Sequence, residues 1–147
     1  MAGKTLLIES NQQQPGYNLA LEEYLLSFAS SYDCILYLWQ NQNTVVIGKH
    51  QNPWQECNLA LMETDGVALA RRLSGGGAVY QDLGNLNFTL LMPRKQYDFQ
   101  RQANMILQAL AALGIQGEIS GRNDLLVRGR KFSGNAFYKN GEKAYHH

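Results

Sequence analysis

Three consecutive glycines, Gly75–Gly77, are the segment of this 147-residue sequence that most directly suggests chemistry. Glycine loses more conformational freedom on folding than any other residue, so a run of glycines is typical of positive φ angles or close backbone approach to a ligand. Arg71 and Arg72 lie just upstream and could offer planar guanidinium groups to phosphate or carboxylate oxygens. The segment predicts an anion-binding loop, and the alternative is a flexible turn beside two surface arginines.

The glycine run matches neither of the two common nucleotide-binding patterns. No Gly-Lys-Ser/Thr follows it, which excludes the P-loop motif. Val79–Gln81 supply no third glycine and open no helix, which excludes the dinucleotide motif. An anion at this loop would therefore be bound by free backbone N–H groups and by the arginines.

A second group of glycines and basic residues lies at residues 121–124 and 129–136. Lys131 lies between Arg130 and a Ser-Gly turn, and an ammonium with three rotatable donors suits a phosphate that changes geometry during a reaction. The Asn123-Asp124 pair could give one carboxylate to Mg²⁺, with waters and phosphate oxygens completing the octahedron. The alternatives are a solvated lysine and ordinary turn chemistry.

Other catalytic arrangements are not visible in the sequence. His50 is isolated, and His146 and His147 are adjacent rather than four residues apart, so they form no zinc template. There is no Gly-x-Ser-x-Gly elbow, and neither Cys34 nor Cys57 has a neighbouring histidine. We expect both thiols to be reduced and buried. The predicted mechanism is electrostatic and positional.

The hydrophobic periodicity and capping residues predict three helices. In the first, Asn18 is the expected N-cap, and Glu22 and Glu23 are interpreted as charges favoured by the helix dipole. Gly66 and Gly114 are expected to end the second and third. The predicted helices run from Asn18 to about Ser30, from Asn58 to Asp65, and from Asp98 to Gly114.

Apolar runs and period-two alternation predict the strands. The polar residues 40–43 are interpreted as the connection of a β-hairpin, and Asn140-Gly141 as the turn of another. Mainly antiparallel pairing with flanking helices predicts an α+β domain. The expected strands are Thr5–Glu9, Cys34–Trp39, Thr44–Ile47, Val67–Ala70, Asn85–Leu90, Ile115–Ile119, Leu125–Val127, Ala136–Tyr138 and Ala144–Tyr145.

Composition limits the classes of function. The chain length suits one domain, or part of one, and a formal net charge of +1 argues against nucleic acid as the main partner. The longest apolar run, Cys34–Trp39, is far shorter than the roughly 20 residues of a membrane span. Glu9 interrupts the first apolar stretch too early for a signal peptide, so we expect a cytoplasmic location and no membrane partner.

Five separate blocks of the sequence resemble the lipoate-protein ligase A family, in the same order as in that family. Residues 71–85 resemble the signature Arg-Arg-x-Ser-Gly-Gly-Gly-Ala-Val-x-His-Asp-x-Gly-Asn, and the Ser-Gly-Gly-Gly-Ala-Val form differs from that of the related biotin ligases. Residues 129–134 resemble the lysine motif of the family. The remaining blocks are Tyr17-Asn18-Leu19-Ala20-Leu21-Glu22-Glu23, Thr44-Val45-Val46-Ile47-Gly48 and Gln51-Asn52-Pro53-Trp54-Gln55-Glu56-Cys57-Asn58.

The resemblance implies the biotin/lipoate ligase fold and a two-step reaction. Lipoate and ATP would give lipoyl-AMP and pyrophosphate, and the acyl group would then pass to a lysine of a lipoyl domain in 2-oxoacid dehydrogenase or glycine cleavage proteins. Lys131 would contact both the phosphate and the acyl carbonyl and stabilise charge rather than abstract a proton. Asp124 would be the Mg²⁺ ligand, and the dithiolane tail would lie in the apolar part of the tunnel.

The resemblance also implies a set of residues that bind ATP and lipoyl-AMP. Most belong to the glycine signature, and two belong to the lysine motif. They are Arg72, Ser74, Gly75, Gly76, Gly77, Ala78, Val79, Tyr80, Asn85, Lys131 and Ser133.

The sequence departs from the family pattern at one position and in length. Gln81 replaces the usual histidine, which removes a titratable group but keeps hydrogen-bonding capacity. Residues 1–147 would be the amino-terminal portion of one catalytic domain, incomplete at the carboxyl end and without the accessory domain, so a carboxyl-terminal half or partner subunit would complete it. Tyr145–His147 would begin the next family strand, and the alternative for the two histidines is a residual tag.

Two other functions compete with the ligase hypothesis. An octanoyl or lipoyl acyltransferase of the same superfamily would use a cysteine nucleophile and no ATP, but Cys34 and Cys57 lie outside the motif blocks that would form the site. A non-catalytic module would keep the lipoyl-AMP pocket as a sensor or as half of a split enzyme.

Overall fold

The strands form three sheets in the computed structural model, which describes residues 4–121 and 124–147. The strands are β1 (Thr5–Glu9), β2 (Cys34–Trp39), β3 (Thr44–Ile47), β4 (Ala68–Arg71), β5 (Val79–Gln81), β6 (Asn87–Pro93), β7 (Glu118–Ile119), β8 (Leu125–Val127), β9 (Arg130–Ser133), β10 (Phe137–Asn140) and β11 (Lys143–His146). The α-helices are α1 (Pro15–Leu26), α2 (Pro53–Glu56), α3 (Leu59–Thr64) and α4 (Phe99–Ala112), and short 3₁₀ turns lie at Ala29–Ser31 and Arg94–Gln96.

The largest sheet has the strand order β1-β2-β6-β11-β10, and the two smaller sheets have the orders β4-β3-β5 and β7-β8-β9. Among the described strands, only β1 with β2 and β3 with β4 pair in parallel, and the other pairings are antiparallel. The α+β class with mainly antiparallel sheets is therefore confirmed.

The large sheet carries helices on both faces because alternate side chains of a strand point to opposite sides. Tyr145 of β11 packs in the core cluster with Leu25 and Leu26 of α1. The next residue, His146, contacts Gln102 of α4 on the other side of the sheet. The sheet is thus enclosed between α1 and α4 at its centre.

The predicted ends of α3 and α4 are confirmed. Asn58 accepts a hydrogen bond from the backbone N–H of Leu61, and Asp98 accepts one from Arg101, both at 3.1 Å. Gly66 and Gly114 follow these helices with φ angles of +64° and +79°, the left-handed region that glycine adopts readily. The hairpin of β10 and β11 around Asn140-Gly141 is also confirmed.

The predicted N-cap of the first helix was wrong. The helix begins at Pro15, which is tolerated in the first turn because the N–H that proline lacks has no intrahelical acceptor there. Asn18 is instead fully buried, and its side-chain amide donates to the carbonyl oxygens of Gln12 and Gln40 and to Asn41 Oδ1. The helix also ends earlier than expected, at Leu26, before the separate 3₁₀ turn.

The predicted hairpin of Cys34–Trp39 with Thr44–Ile47 was also wrong. These strands do not pair with each other: β2 lies between β1 and β6, whereas β3 lies between β4 and β5 in another sheet. The connection crosses between the sheets because Asn41 is buried and its side chain donates to Gln81 Oε1 at 2.8 Å. A polar connection that is anchored inside the protein cannot act as an exposed hairpin loop.

The two terminal histidines are part of the fold, not an appended tag. His146 belongs to β11, which lies between β6 and β10, and His147 exchanges two backbone hydrogen bonds with Ala136, of 2.7 and 2.9 Å. Both thiols are free, as expected, but Cys34 and Cys57 are only partly buried. Within the described residues, no helix is long and apolar enough to cross a bilayer.

His146 is a buried imidazole, and its burial makes the stability of the fold depend on pH. Its ring nitrogens lie 2.9 Å from Gln102 Oε1 and from Asn135 Oδ1, and the rings of Phe88 and Phe99 lie on either side at about 5.5 and 5.4 Å. Burial lowers the pKa of His146 from 6.5 to about 4, and the neighbouring His147 lowers it further in the same direction.

We predict that the free energy of unfolding falls as the pH decreases from 6.5 towards about 4. The unfolded chain takes up the proton first, so the stability is complete above the unfolded pKa and is lost below it, by roughly 3 kcal/mol at about 1.4 kcal/mol per pKa unit. Urea unfolding at a series of pH values measures this. His146→Gln should flatten the profile, whereas the exposed His50→Gln should not; a wild-type slope in His146→Gln would contradict the assignment.

Candidate functional site

One open cleft of about 420 Å³ receives side chains from all three sheets. The glycine loop and β5 form one part of the cleft, and β9 with the turn after it forms another. The end of β2, the start of β6 and the last residue, His147, complete the lining. Its described lining residues are Leu19, Trp39, Val46, Arg72, Gly76–Gln81, Asn85–Phe88, Asp124, Lys131–Ala136 and His147. The two segments that the sequence singled out therefore meet in one place.

Steric constraints require glycine at one position in the glycine loop and at one position next to it. Gly76 has a φ angle of +92°, and a Cβ there would also lie only 3.0 Å from Arg72 Nη2. Gly48 lies directly beneath the loop, where a Cβ would overlap the carbonyl oxygen of Gly76. Gly75 has an ordinary φ angle and open space around it. The loop thus depends on a close backbone contact between residues 48 and 76.

Arg72 holds the glycine loop in place. The guanidinium is buried and donates hydrogen bonds to the carbonyl oxygens of Val46, Gly75 and Gly77, at 2.7 to 3.2 Å, and to Ser74 Oγ at 3.1 Å. Burial lowers the pKa of Arg72, yet a guanidinium keeps its charge. The expectation of a guanidinium fork that faces a phosphate is corrected: most of its donors are occupied by the loop itself.

Arg71 has a similar structural role on the neighbouring loop. Its Nη1 donates to the carbonyl oxygens of Gly48, Lys49 and Gln51 at 3.0, 3.2 and 2.8 Å. Both arginines of the motif therefore bind backbone carbonyl oxygens, Arg72 from a buried position and Arg71 from an exposed one.

Lys131 lies in the cleft on β9 and forms an ion pair with Asp124. The distance from Nζ to Oδ1 is 2.9 Å, and the lysine side chain is 53% exposed. Gly134 lies behind the lysine: a Cβ there would approach Lys131 Cε to 3.3 Å and Nζ to 3.4 Å. The position of the ammonium is therefore fixed by its ion pair with Asp124 and by the space that the missing side chain of Gly134 leaves for it. Asn123, the other member of the expected magnesium pair, lies outside the described residues.

The cleft contains most, but not all, of the predicted binding residues. Ser74 and Gly75 are the exceptions. Ser74 is buried behind the loop, where its Oγ accepts from Arg72 Nε and lies 2.7 Å from His147 Nε2. The predicted residues that line the cleft are Arg72, Gly76, Gly77, Ala78, Val79, Tyr80, Asn85, Asp124, Lys131 and Ser133.

Sequence reasoning missed a chain of buried polar groups beneath the cleft. Trp39 Nε1 donates to Thr89 Oγ1 at 2.9 Å, and Thr89 Oγ1 donates to Glu22 Oε1 at 2.7 Å. Glu22 Oε1 lies 2.7 Å from His147 Nδ1, and Glu22 is 2% exposed. The interpretation of Glu22 as a charge favoured by the helix dipole was wrong, because the helix begins at Pro15 and has no acidic residue in its first turn. Asn18 and Glu22 share the buried side of α1 with Leu25 and Leu26, and polar residues at core spacing were the available signal.

Two further groups border this chain of hydrogen bonds. Gln81 lines the cleft, accepts a hydrogen bond from Asn41 and donates one to Asn87 Oδ1 at 3.0 Å. It therefore forms hydrogen bonds at the position where the family pattern usually has a histidine. The hydroxyl of Tyr145 is buried beside Ser74 and Glu22 but makes no hydrogen bond of good geometry in the described part of the chain. Burial, reinforced by the charge of Glu22, raises the pKa of Tyr145, which keeps the phenol neutral.

Solved structures of lipoate ligases superimpose closely on this chain. P. falciparum LipL1 in complex with lipoate matches with a TM-score of 0.90 and 38% identity over 97% of this chain and 46% of that one. A lipoate-protein ligase A bound with ATP gives a TM-score of 0.88 and 28% identity, with coverages of 99% and 65%. A bi-partite lipoate protein ligase from Thermoplasma acidophilum, described with its E2 lipoyl domain, gives 0.81 and 28%, with coverages of 99% and 60%. The fold and cleft define an α+β domain of the lipoate ligase class.

Sequence comparison identifies the family. The model described as "Lipoyl protein ligase A/B catalytic domain" matches residues 14–147, so the chain belongs to this family. Lipoate-protein ligase A of Bdellovibrio bacteriovorus is 49% identical over 94% of this chain, which corresponds to 42% of the relative. The chain thus spans less than half the length of this curated relative.

We predict that Gly76→Val weakens anion binding at the loop by about tenfold or more, because it forces a β-branched residue to a positive φ angle. Calorimetric titration with inorganic pyrophosphate measures the affinity. Gly75→Ala is the matched control, since it adds a methyl group in the same loop where nothing lies within 4 Å. Equal losses in the two variants would show that backbone conformation at residue 76 is not the reason.

Proposed function

We propose that the protein is an ATP-dependent lipoate-protein ligase. It transfers the AMP group of ATP to the lipoate carboxylate with release of pyrophosphate, and then transfers the acyl group to a lysine of a lipoyl domain with release of AMP. The observation that carries this proposal is that Lys131 and the glycine loop line the same cleft in a chain of this family. The relatives described with lipoate, with ATP and with an E2 lipoyl domain support the substrates and the acceptor.

The nucleotide phosphates would bind at the glycine loop. No hydrogen bond between described residues uses the backbone N–H groups of Gly76, Gly77 or Ala78, and all three residues line the cleft. Preorganised amide donors stabilise negative charge without reorganising during the reaction. Arg72 contributes indirectly, because its hydrogen bonds to the carbonyl oxygens of Gly75 and Gly77 fix the conformation of the loop.

Lys131 would stabilise charge at the reacting atoms. Attack of a carboxylate on the α-phosphate brings two anionic groups together, and a fixed ammonium between them lowers that repulsion. The ion pair with Asp124 positions Nζ within the cleft. The same ammonium could then polarise the acyl carbonyl of the adenylate during transfer to the acceptor lysine.

The acyl chain would occupy the apolar part of the cleft. Leu19, Trp39, Val46, Phe88 and Ala136 line this part, and Trp39 is almost completely buried. Burial of a lipoyl tail against these side chains contributes about 25 cal/mol for each Å² of apolar surface removed from water. The carboxylate end would then face Lys131 and the loop.

Mg²⁺ would assist the ATP-dependent step, with Asp124 as the protein ligand. Asp124 is the only carboxylate among the described lining residues, and no group of three metal-binding side chains occurs in the described chain. A single carboxylate fits Mg²⁺, which completes its shell with waters and substrate phosphates. The ion would neutralise phosphate charge.

The cysteine-dependent acyltransferase has less support. Neither Cys34 nor Cys57 is among the described residues that line the cleft, and Cys57 lines a separate groove of about 350 Å³ next to α3. A non-catalytic lipoyl-AMP-binding module, as half of a split enzyme, is the second candidate. It is favoured by the structural similarity to a bi-partite lipoate protein ligase from Thermoplasma acidophilum.

Lipoate-dependent exchange of labelled pyrophosphate into ATP tests the proposal. We predict that the natural full-length protein catalyses exchange and that Lys131→Ala reduces it by at least about 100-fold, the loss typical of one charge-stabilising group. The melting temperature should hardly change, because an exposed ion pair contributes about 0–1 kcal/mol. Lys139→Ala, an exposed strand lysine outside the cleft, is the control. Tight lipoyl-AMP binding without exchange would favour the non-catalytic module.

Asp124→Asn tests the magnesium assignment. We predict that this variant needs several-fold more Mg²⁺ for half-maximal exchange, because it removes the charge that binds the ion. Glu118→Gln, a nearby acidic residue outside the lining, is the control. An unchanged Mg²⁺ requirement with reduced maximal rate would instead show that Asp124 serves only to position Lys131.

A further inference from the structure

His147 connects the wall of the cleft to the back of the glycine loop. Its imidazole lines the cleft, with Nδ1 2.7 Å from Glu22 Oε1 and Nε2 2.7 Å from Ser74 Oγ. Ser74 Oγ also accepts from Arg72 Nε, and Arg72 donates to the loop carbonyls of Gly75 and Gly77. A continuous path of hydrogen bonds therefore runs from a buried carboxylate to the loop.

The donors and acceptors along this path fix two of its bonds. Arg72 can only donate and an ionised Glu22 can only accept, so Ser74 Oγ accepts from the arginine and His147 Nδ1–H donates to the glutamate. The third bond joins Ser74 Oγ and His147 Nε2, either of which can be the donor. The imidazole therefore pairs with Glu22 and Ser74 at once.

We propose that His147 is a positioning residue of the adenylate site. It anchors the glycine loop, through Ser74 and Arg72, to the carboxylate of Glu22, which is held by Thr89. Without this anchor, the loop that presents the amides of Gly76–Ala78 loses its fixed depth relative to Lys131. The kinetic part of this proposal rests on the proposed function.

The order of Ser74, His147 and Glu22 also occurs in hydrolytic triads, but the surroundings exclude a nucleophilic role. Ser74 is 1% exposed and is not among the residues that line the cleft. Its Oγ also accepts from the Arg72 guanidinium, which lowers its nucleophilicity. The same three groups therefore act here as a support.

The anchor can be measured without any substrate. The backbone N–H of Lys49 donates to the carbonyl oxygen of Ser74 at 2.9 Å, so its hydrogen exchange reports how firmly the loop is held. In the natural full-length protein, we expect exchange at Lys49 to rise about tenfold in His147→Ala and to stay near wild type in His147→Gln, whose amide can bridge both partners. His50→Ala, at an exposed histidine, is the control.

Kinetics provide the second measurement. We expect His147→Ala to raise the KM for ATP about tenfold with a smaller loss of kcat, because it misplaces the phosphate-binding loop. If His147 acts through Ser74, the Ser74→Ala/His147→Ala pair should be strongly non-additive, with the double variant no worse than the worse single variant within about twofold. His147→Gln should restore most of the wild-type KM.

The outcomes separate the two proposals. Unchanged Lys49 exchange in a folded His147→Ala protein, or additive effects in the double variant, would overturn the anchoring role. A loss of activity in His147→Gln with normal loop exchange would assign acid–base chemistry to the ring instead. If the wild-type protein does not exchange labelled pyrophosphate into ATP, the proposed function is wrong. Hydrogen exchange at the Lys49 amide still tests the anchoring role in that case. If His147→Ala fails to fold, Ser74→Ala, which keeps the Glu22–His147 pair, carries the same test.

Discussion

A buried guanidinium beneath the glycine loop is the interaction on which the cleft depends. Removing a charge from water is unfavourable unless hydrogen bonds and opposite charge compensate it. Arg72 finds this compensation in the carbonyl oxygens of Val46, Gly75 and Gly77. The carbonyl oxygens of the loop are thus paired with the arginine, whereas the N–H groups of Gly76, Gly77 and Ala78 make no hydrogen bond with described residues. The same bonds therefore satisfy the cation and hold the loop that carries these donors.

The cleft also requires buried polar groups between the large sheet and α1. Thr89 and Glu22 lie between the large sheet and α1, where apolar side chains would pack more simply. A buried polar network stabilises one specific conformation when every member is satisfied and destabilises the fold when one is missing. The polar residues under the cleft therefore fix the relative positions of α1, the large sheet and the glycine loop. The apolar cluster of α1 and β2 supplies the favourable burial free energy.

The sequence-based predictions were correct where the determinant is local. Asp98 capped a helix, Gly66 and Gly114 ended helices, Asn140-Gly141 formed a hairpin, and the two sequence motifs line one cleft. The errors arose where a tertiary contact outweighs a local preference. Residues 40–43 have the polarity of a hairpin turn, yet Asn41 bonds to Gln81, which is 40 positions away. Local spacing carries no information on such a contact.

The site residues show the same division between local and distant determinants. The motif indicated that Ser74 and Arg72 matter, but not that they support the loop from behind, because that role depends on His147, which is 73 positions from Ser74. Glu22 was interpreted only as a charge near the start of a helix, although a charged residue at a core position indicates a paired group. Its partner is 125 positions away. The pattern within one helix can show that a charged residue lies at a core position. The residue that pairs with it is known only from the three-dimensional fold.

The two walls of the cleft also differ in rigidity, and the difference suits their proposed roles. The glycine loop is held by a buried network, which fixes amide donors where phosphate oxygens would lie. Lys131 is half exposed on a short strand and held by one ion pair with Asp124. A group that must contact a phosphate in one step and an acyl carbonyl in the next needs freedom to move between them. A rigid anion cradle opposite an adjustable ammonium provides both properties in one cleft.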